Sequence, residues 1–207
     1  MNNNLVTELH YLGSLEYFSL VLQQEKILFE THDMFKKQTF RNRTYFLGSN
    51  KTLQLNIPLT FSNGTKTKDV KIDYNHKWIK DHWGAFYSSY GKAPFFEYFS
   101  DDFKSIWDSK PDYLIDLNLS FLRLILKILK TDVDISFTSE YKKKYELDFR
   151  DHINPKSFFI NRKIYTPIEY TQLFGNTFVP NLSIIDLVMC EGPHAAEVLK
   201  ASYIGST

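Results

Sequence analysis

Residues 9–30 read LHYLGSLEYFSLVLQQEKILFE, and this stretch is the clearest indication of the fold class. Leu9 to Leu12 is short and apolar, and Gly13-Ser14 follows with the residue types of a turn and a helix N-cap. Apolar residues then recur at near-helical spacing as far as Leu22, and Lys26 to Glu30 has the pattern of a second short strand. The stretch therefore predicts a compressed β-α-β unit.

A second helix-to-strand step lies about a hundred residues further on. Tyr113 to Lys130 is almost entirely Leu, Ile and Phe, apart from one polar stripe at 4-3-4-3 spacing: Asp116, Ser120, Arg123, Lys127 and Lys130. A helix with so little polar surface is buried on most sides, against a sheet or other helices. Val133 to Phe137 then reads as a strand.

The rest of the chain alternates between short strands and aromatic helical segments. Strand patterns occur at Thr44–Leu47, Leu53–Leu59 and Val70–Ile72, with Pro58 marking an edge or a strand end. Trp78 to Trp107 is aromatic and helical, with breaks at Gly91 and Pro94, and Phe178 to Ile204 ends in another helix. We expect one α/β domain over residues 1–207, with a mostly parallel central sheet and an aromatic helical segment.

The composition excludes several classes of protein. The 207 residues carry 25 Lys and Arg against 24 Asp and Glu, and this balance removes the main argument for a nucleic-acid binder. One cysteine excludes an internal disulfide framework and a cysteine-built metal cluster. The sequence has no signal-peptide pattern and no apolar run of about 18 residues, so we expect a soluble, cytoplasmic protein without a membrane span.

No motif for a cofactor or a metal is present. The eight glycines never cluster into a phosphate loop, and the six histidines are scattered, so the cofactor stays unidentified. A metal site would require assembly in three dimensions. Cys190 lies among apolar neighbours, which favours an inert buried thiol over a nucleophile.

The basic residues concentrate in one early block. Residues 36–80 hold ten basic and two acidic side chains, beginning at Lys36. Two interpretations fit equally well: a solvated sheet edge whose charges deter edge pairing, or an anion site. In the second interpretation the donors are Lys37, Gln38, Asn42 and Arg43.

Two further segments contain candidate catalytic residues. Between Trp78 and Phe96, His82 could act as a general base, although the pattern favours a core or surface histidine over that role. The aromatic residues around it suit a core as well as a stacking platform. Further along, Asn181, Ser183 or Asp186 could cap the helix that follows, which competes with a catalytic role for Asp186.

Together these segments resemble the WbqC-like protein family from nearly end to end. The matching residues are Gly13-Ser-Leu-Glu-Tyr-Phe18, Phe35-Lys-Lys-Gln38 with Asn42-Arg43, Leu55-Asn-Ile-Pro-Leu59, Trp78 to His82, Tyr90-Gly-Lys-Ala-Pro-Phe-Phe96, Gln172, Phe178 to Leu187 and Glu191-Gly-Pro193. The chain departs from the family pattern at Leu12-Gly13, where a Pro-aromatic pair is usual, and at Cys190, where Asn is used.

The resemblance implies a transferase in the synthesis of bacterial surface polysaccharide (O-antigen) or of amino sugars. Transfer of glycine or another aminoacyl group to a sugar nucleotide has been suggested for such proteins. The competing hypothesis is a non-catalytic module of the same pathway that binds a carbohydrate or a partner enzyme. Neither the donor, the acceptor nor the oligomeric state follows from the sequence.

The order of predicted elements is also similar to HIGH-motif nucleotidyltransferases. A strand turns into a helix and a second strand, and much later a buried helix feeds a strand with Ser136 and Thr138. Those folds hold nucleotide phosphates at the N-terminus of the first helix. The paired histidines of that motif are missing here, since Gly13 and Tyr17 occupy the turn, so the comparison concerns the fold alone.

We therefore expect the basic loop and His82 to meet around one small anionic molecule. Lys37, Asn42 and Arg43 are the predicted anion binders, Gln38 and Lys92 the substrate contacts, and His82 the proton-transfer residue. Tyr17, Tyr90 and Asp186 are expected to position or gate the substrate.

Overall fold

A computed structural model describes residues 4–205 of the protein. Its strands are β1 (Leu5–Thr7), β2 (Lys26–Phe29), β3 (Arg43–Leu47), β4 (Thr52–Asn56), β5 (Leu59–Thr60), β6 (Lys71–Ile72) and β7 (Asp134–Phe137). Its α-helices are α1 (Leu15–Val21), α2 (Trp78–Tyr90), α3 (Phe96–Asp108), α4 (Leu114–Ile128), α5 (Ile184–Glu191) and α6 (Ala195–Ser202).

The central sheet is parallel, and β2 is its middle strand. β2 pairs with β1 on one side and with β7 on the other, with Ile27 opposite Leu5 and Ile135. The antiparallel pairs β3–β4 and β5–β6 lie outside this sheet. The expected α/β class with a parallel central sheet is confirmed.

The β-α-β unit forms as predicted, but its first strand lies earlier in the chain. β1 ends at Thr7, and residues 9–12 form a buried loop rather than a strand. The backbone of this loop forms its hydrogen bonds outside the parallel sheet. The Tyr11 amide, for example, donates to the Phe40 carbonyl at 2.9 Å. Ser14 caps α1 as predicted, accepting from the Tyr17 amide at 3.4 Å.

Helix α4 confirms the prediction from its polar stripe. The five residues of that stripe are exposed, whereas Leu117, Phe121 and Ile125 are at most 1% exposed. Burial of each such side chain contributes about 2 kcal/mol. α4 therefore packs into the core, and the chain continues from its C-terminal end into β7.

The remaining helices also follow the predicted breaks. α2 ends and α3 begins on either side of the Gly91–Pro94 segment, and Pro58 lies between β4 and β5. Ser183 is the N-cap of α5 and accepts from the Ile185 amide at 3.3 Å. Within residues 4–205, no helix has the length and apolar character needed to cross a bilayer.

The N-terminus of α1 is closed by other parts of the chain. Its first amides donate to the Leu182 carbonyl, to the Asn181 side chain and to Ser14. Arg162 adds an ion pair to Glu16 in the first turn of the helix. No amide of this turn is left for a phosphate, so the helix end does not serve as it does in HIGH-motif nucleotidyltransferases.

Candidate functional site

Polar residues follow each strand of the parallel sheet at the point where the strand ends. Glu8 comes directly after β1, Glu30 directly after β2, and Thr138 directly after β7. Because the three strands are parallel, these residues emerge at the same edge. In open α/β sheets this carboxyl edge is where ligands bind.

A fourth segment extends this edge beyond β1. The amide of Val6 donates to the Leu147 carbonyl at 2.9 Å, and the amide of Phe149 donates to the Val6 carbonyl at 2.8 Å. Asp148 forms a parallel bridge with Val6. The next residues, Arg150 to His152, therefore reach the same edge as Glu8 and Glu30.

A cleft of about 720 Å³ opens over the carboxyl edge. The loop after β2, the segment before β6 and residues 141–152 supply its walls. Its lining residues are His32, Asp33, Met34, Lys36, Lys66, Tyr141, Lys144, Asp148, Arg150, Asp151 and His152. The volume suits a small molecule such as a nucleotide or a sugar conjugate.

One buried arginine ties the floor of the cleft together. The Arg41 guanidinium is 1% exposed and lies 2.8 Å from Asp33 and 3.1 Å from Asp151. Its distance to Glu8 is 3.9 Å, and Lys36 also pairs with Asp151. The carboxylates after two neighbouring strands are thus held by a single cation.

The surroundings set the charge state of these groups. Burial opposes ionisation of Glu8, but Arg41, His10 and the Asp151 amide outweigh it and lower the pKa of Glu8 to about 2. Burial raises the pKa of Asp33, against the pull of Arg41 and of the Thr67 hydroxyl. Burial also opposes the charge on Arg41, yet its neighbouring carboxylates raise the pKa of the guanidinium.

A second cluster lies between β2 and β7. Glu30 has a fully buried side chain and accepts from the Thr138 hydroxyl at 2.9 Å and from the His32 amide at 2.8 Å. Its other oxygen accepts from Arg150 at 3.1 Å. The His32 Nδ1 atom lies 3.2 Å from the Thr138 hydroxyl, and this contact orients the imidazole ring.

Some of the charged side chains that line the cleft form ion pairs, and others do not. Asp33, Asp148 and Asp151 each pair with an arginine or a lysine. Lys66 and Lys144 form no ion pair within the described part of the chain. The cleft therefore combines a floor of carboxylates with two free ammonium groups at its walls.

The predicted proton-transfer residue His82 lies elsewhere. It is 3% exposed, with Nδ1 at 2.8 Å from the Tyr11 hydroxyl and Nε2 at 3.3 Å from the Asn56 carbonyl. The Asn56 carbonyl can only accept, so Nε2 donates to it and Nδ1 of the neutral ring accepts from the Tyr11 hydroxyl, which engages both ring nitrogens. Burial lowers the pKa of His82 to about 4, so the ring is neutral.

The predicted anion binders do not line the cleft either. Asn42 donates to the Ile57 carbonyl at 2.9 Å, and Arg43 donates to Asn56 across the β3–β4 pair at 3.0 Å. Lys37 lies over the Phe61 ring at 5.1 Å, and Gln38 and Lys92 are exposed. Of the basic loop 36–43, only Lys36 lines the cleft.

The three predicted positioning residues are buried. Tyr17 donates to the Glu8 carbonyl at 3.1 Å, and the Tyr90 hydroxyl accepts from the Leu47 amide at 3.1 Å. Asp186 accepts from Tyr170 at 2.5 Å and from Gln172 at 2.8 Å, and burial raises its pKa. The expected meeting of loop 36–43 with His82 in one cleft is not observed, and ligand roles for these residues stay predictions.

The residues of the cleft were missed by the sequence analysis, although a signal existed. The run Glu30-Thr-His-Asp33 follows an apolar strand directly, and Thr138 follows another. Polar residues at the carboxyl ends of parallel strands are the expected site in this class of fold. Within residues 4–205, no group of three His, Cys, Asp or Glu side chains has an arrangement that could hold a metal ion.

The fold and the cleft define a mixed α/β protein with a polar site at the carboxyl edge of a parallel sheet. The profile of the WbqC-like protein family matches residues 10–154 and 156–198, and the chain belongs to this family. No curated relative and no solved structure matches the chain. The fold-level comparison with HIGH-motif nucleotidyltransferases is therefore not confirmed.

Proposed function

We propose that this protein is a transferase that binds a sugar nucleotide in the cleft at the carboxyl edge of its sheet. The observation that carries this proposal is the pairing pattern of the lining charges. Asp33, Asp148 and Asp151 each form an ion pair with an arginine or a lysine, whereas Lys66 and Lys144 have no anionic partner within residues 4–205. A ligand with an anionic group supplies that partner.

The two kinds of lining group suit the two ends of a sugar nucleotide. The pyrophosphate would contact Lys66 and Lys144, since ammonium groups bind phosphate as point charges. The amine or hydroxyls of the sugar would donate to the carboxylates of Asp33, Asp148 or Asp151. An amino sugar thus fits a cleft that has both free cations and paired carboxylates.

Membership of the WbqC-like family supports the reaction class. The family resemblance points to transfer of glycine or another aminoacyl group in the synthesis of surface polysaccharide (O-antigen) or amino sugars. Because the proposed substrates are sugar nucleotides, the proposal includes a reaction in the cytoplasm. The second candidate function is a non-catalytic carbohydrate-binding module, which would use the carboxylates without the lysines.

A thermal-shift screen separates these functions. The ligands are UDP-linked amino sugars, ATP, free amino acids and the matching free amino sugars. We expect the UDP-amino sugar to raise the Tm, since a ligand at about 100 times its Kd stabilises the native state by about 2.7 kcal/mol. A shift with free sugar alone would favour the binding module, and no shift with any sugar nucleotide would contradict the proposal.

A further inference from the structure

One imidazole in the cleft has a fixed protonation pattern. Thr138 has a single hydroxyl hydrogen, which it donates to Glu30 at 2.9 Å. The oxygen of Thr138 can therefore only accept from its other neighbours. His32 Nδ1 lies 3.2 Å from that oxygen, and two acceptors at this distance would repel each other. We therefore assign the proton to Nδ1 of His32, which also lies 3.4 Å from the Thr31 hydroxyl, whose oxygen can accept as well.

The other ring nitrogen is then left for the cleft. In a neutral imidazole, one nitrogen donates and the other accepts, so Nε2 of His32 holds a free lone pair. Nε2 has no hydrogen-bond partner within the described residues, and the half-buried ring lines the cleft. Orientation of a base by a hydroxyl and a buried carboxylate follows the logic of catalytic triads.

We propose that His32 is the proton acceptor of the cleft, oriented by Thr138 and Glu30, and this inference rests on the proposed function. In the reaction, the amine nitrogen of the sugar bonds to the acyl carbon of an activated aminoacyl ester. The bond from that carbon to the ester oxygen breaks, and its electron pair leaves with the oxygen. The proton lost by the amine moves to Nε2 of His32 and then to the departing oxygen.

The buried carboxylate also stabilises the charged intermediate state of the base. When Nε2 accepts a proton, the ring becomes a cation one hydroxyl away from Glu30. Arg150 holds Glu30 from the other side at 3.1 Å, and it also donates to Asp148. This arrangement fixes Glu30 without using the oxygen that faces Thr138.

His152 is a natural control in the same cleft. It is exposed, it lines the cleft, and it makes no hydrogen bond through its ring within residues 4–205. A role that requires only an accessible imidazole would be shared by His152 and His32. A role that requires the orienting contacts belongs to His32 alone.

The first test reads the tautomer directly and needs no substrate. Two-bond proton–nitrogen NMR spectra of protein with ¹⁵N-labelled histidine distinguish Nδ1–H from Nε2–H, and H32Q assigns the signal. We expect Nδ1–H for neutral His32, retained in Thr138→Ser and lost to a tautomer mixture in Thr138→Val. An Nε2–H tautomer in the unmodified protein would overturn the proposal.

The second test measures access to the free nitrogen. Diethyl pyrocarbonate attacks unprotonated imidazole, and peptide mass spectrometry gives the rate at each site. We expect His32 to react at least about 10-fold faster than His82, whose ring is reached only through local opening. Equal rates would contradict an accessible base at His32.

The same experiment separates this inference from the proposed function. A UDP-linked amino sugar is expected to slow the reaction of His32. If the tautomer and the reactivity of His32 are as expected but the sugar nucleotide does not slow its modification, the proposed ligand is wrong and the role of His32 as proton acceptor stands. If the sugar nucleotide slows the reaction of His32 but neutral His32 carries its proton on Nε2, then the role of His32 as proton acceptor is wrong and the proposed function stands.

Discussion

Arg41 shows how one side chain organises the candidate site. Its guanidinium contacts carboxylates from three separate segments: Glu8 after β1, Asp33 after β2, and Asp151 beyond the strand-like segment 147–149. When one of the three carboxylates is removed, Arg41 keeps the other two, so the cost is the stabilisation that the lost carboxylate gains from the cluster.

The Glu8→Gln variant tests how much the Arg41 cluster contributes to stability, through the pH dependence of the free energy of unfolding. The folded-state pKa of Glu8 is about 2, below the reference value of about 4.3, so its carboxylate stabilises the fold above the unfolded pKa. This stabilisation is lost as the pH falls through the range from about 4.3 to about 2. Because a difference of one pKa unit corresponds to about 1.4 kcal/mol, we expect E8Q to lower the free energy of unfolding by about 3 kcal/mol at neutral pH, and by progressively less in acid.

Urea unfolding at several pH values measures the effect. Asp134→Asn is the control, because the exposed Lys26–Asp134 pair has side chains 40% and 59% exposed and should change stability by less than about 0.5 kcal/mol. A Glu8→Gln variant as stable as the unmodified protein at neutral pH would show that the Arg41 cluster does not support the fold.

The turn between α2 and α3 packs against the C-terminal end of α5. The Phe95 amide donates to the Met189 carbonyl at 3.1 Å, and the Phe95 ring covers Gly192. Gly192 has φ of 57°, and a Cβ there would lie 2.4 Å from the Phe95 ring. The position therefore excludes a side chain for two reasons, backbone conformation and space.

Two glycine substitutions test this packing as a pair. Gly192→Ala should lower the free energy of unfolding by about 3 kcal/mol, through overpacking and an unfavourable φ. Gly84→Ala lies inside α2 with no atom within 4 Å of the new Cβ, and it should stabilise the protein by about 0.5 to 1 kcal/mol. Calorimetric melting gives both values, and a neutral Gly192→Ala would contradict the packing of α5 on Phe95.

The periodicity of the sequence predicts the helices and strands of the protein but not its site. The polar stripe of α4 and the apolar pattern of β2 are local signals, because each reflects the burial of one element. The bounds of α4 and β7 therefore agree closely with the predictions. The apolar pattern predicts the first strand at residues 9–12, whereas β1 is Leu5–Thr7, because a buried apolar loop and a short buried strand have the same composition.

The cleft depends on contacts between segments that are distant in sequence. Arg41 meets Asp151, Arg150 meets Glu30, and Thr138 meets His32. Each of these contacts spans more than a hundred residues, so the local density of donors in residues 36–43 could not reveal them. The imidazole chosen from sequence, His82, lies in an aromatic stretch, and such stretches form cores more often than sites.

The proposed sugar nucleotide would bind over the carboxyl edge of the parallel sheet through Lys66 and Lys144. Isothermal titration with a UDP-linked amino sugar measures this binding in the unmodified protein, in Lys66→Ala/Lys144→Ala, and in the control Lys127→Ala/Lys200→Ala. The control removes two exposed lysines from helices α4 and α6 and should leave the Kd unchanged. We predict that the cleft variant raises the Kd at least about tenfold, equivalent to 1.4 kcal/mol. An unchanged Kd in the cleft variant would contradict binding of the sugar nucleotide through Lys66 and Lys144.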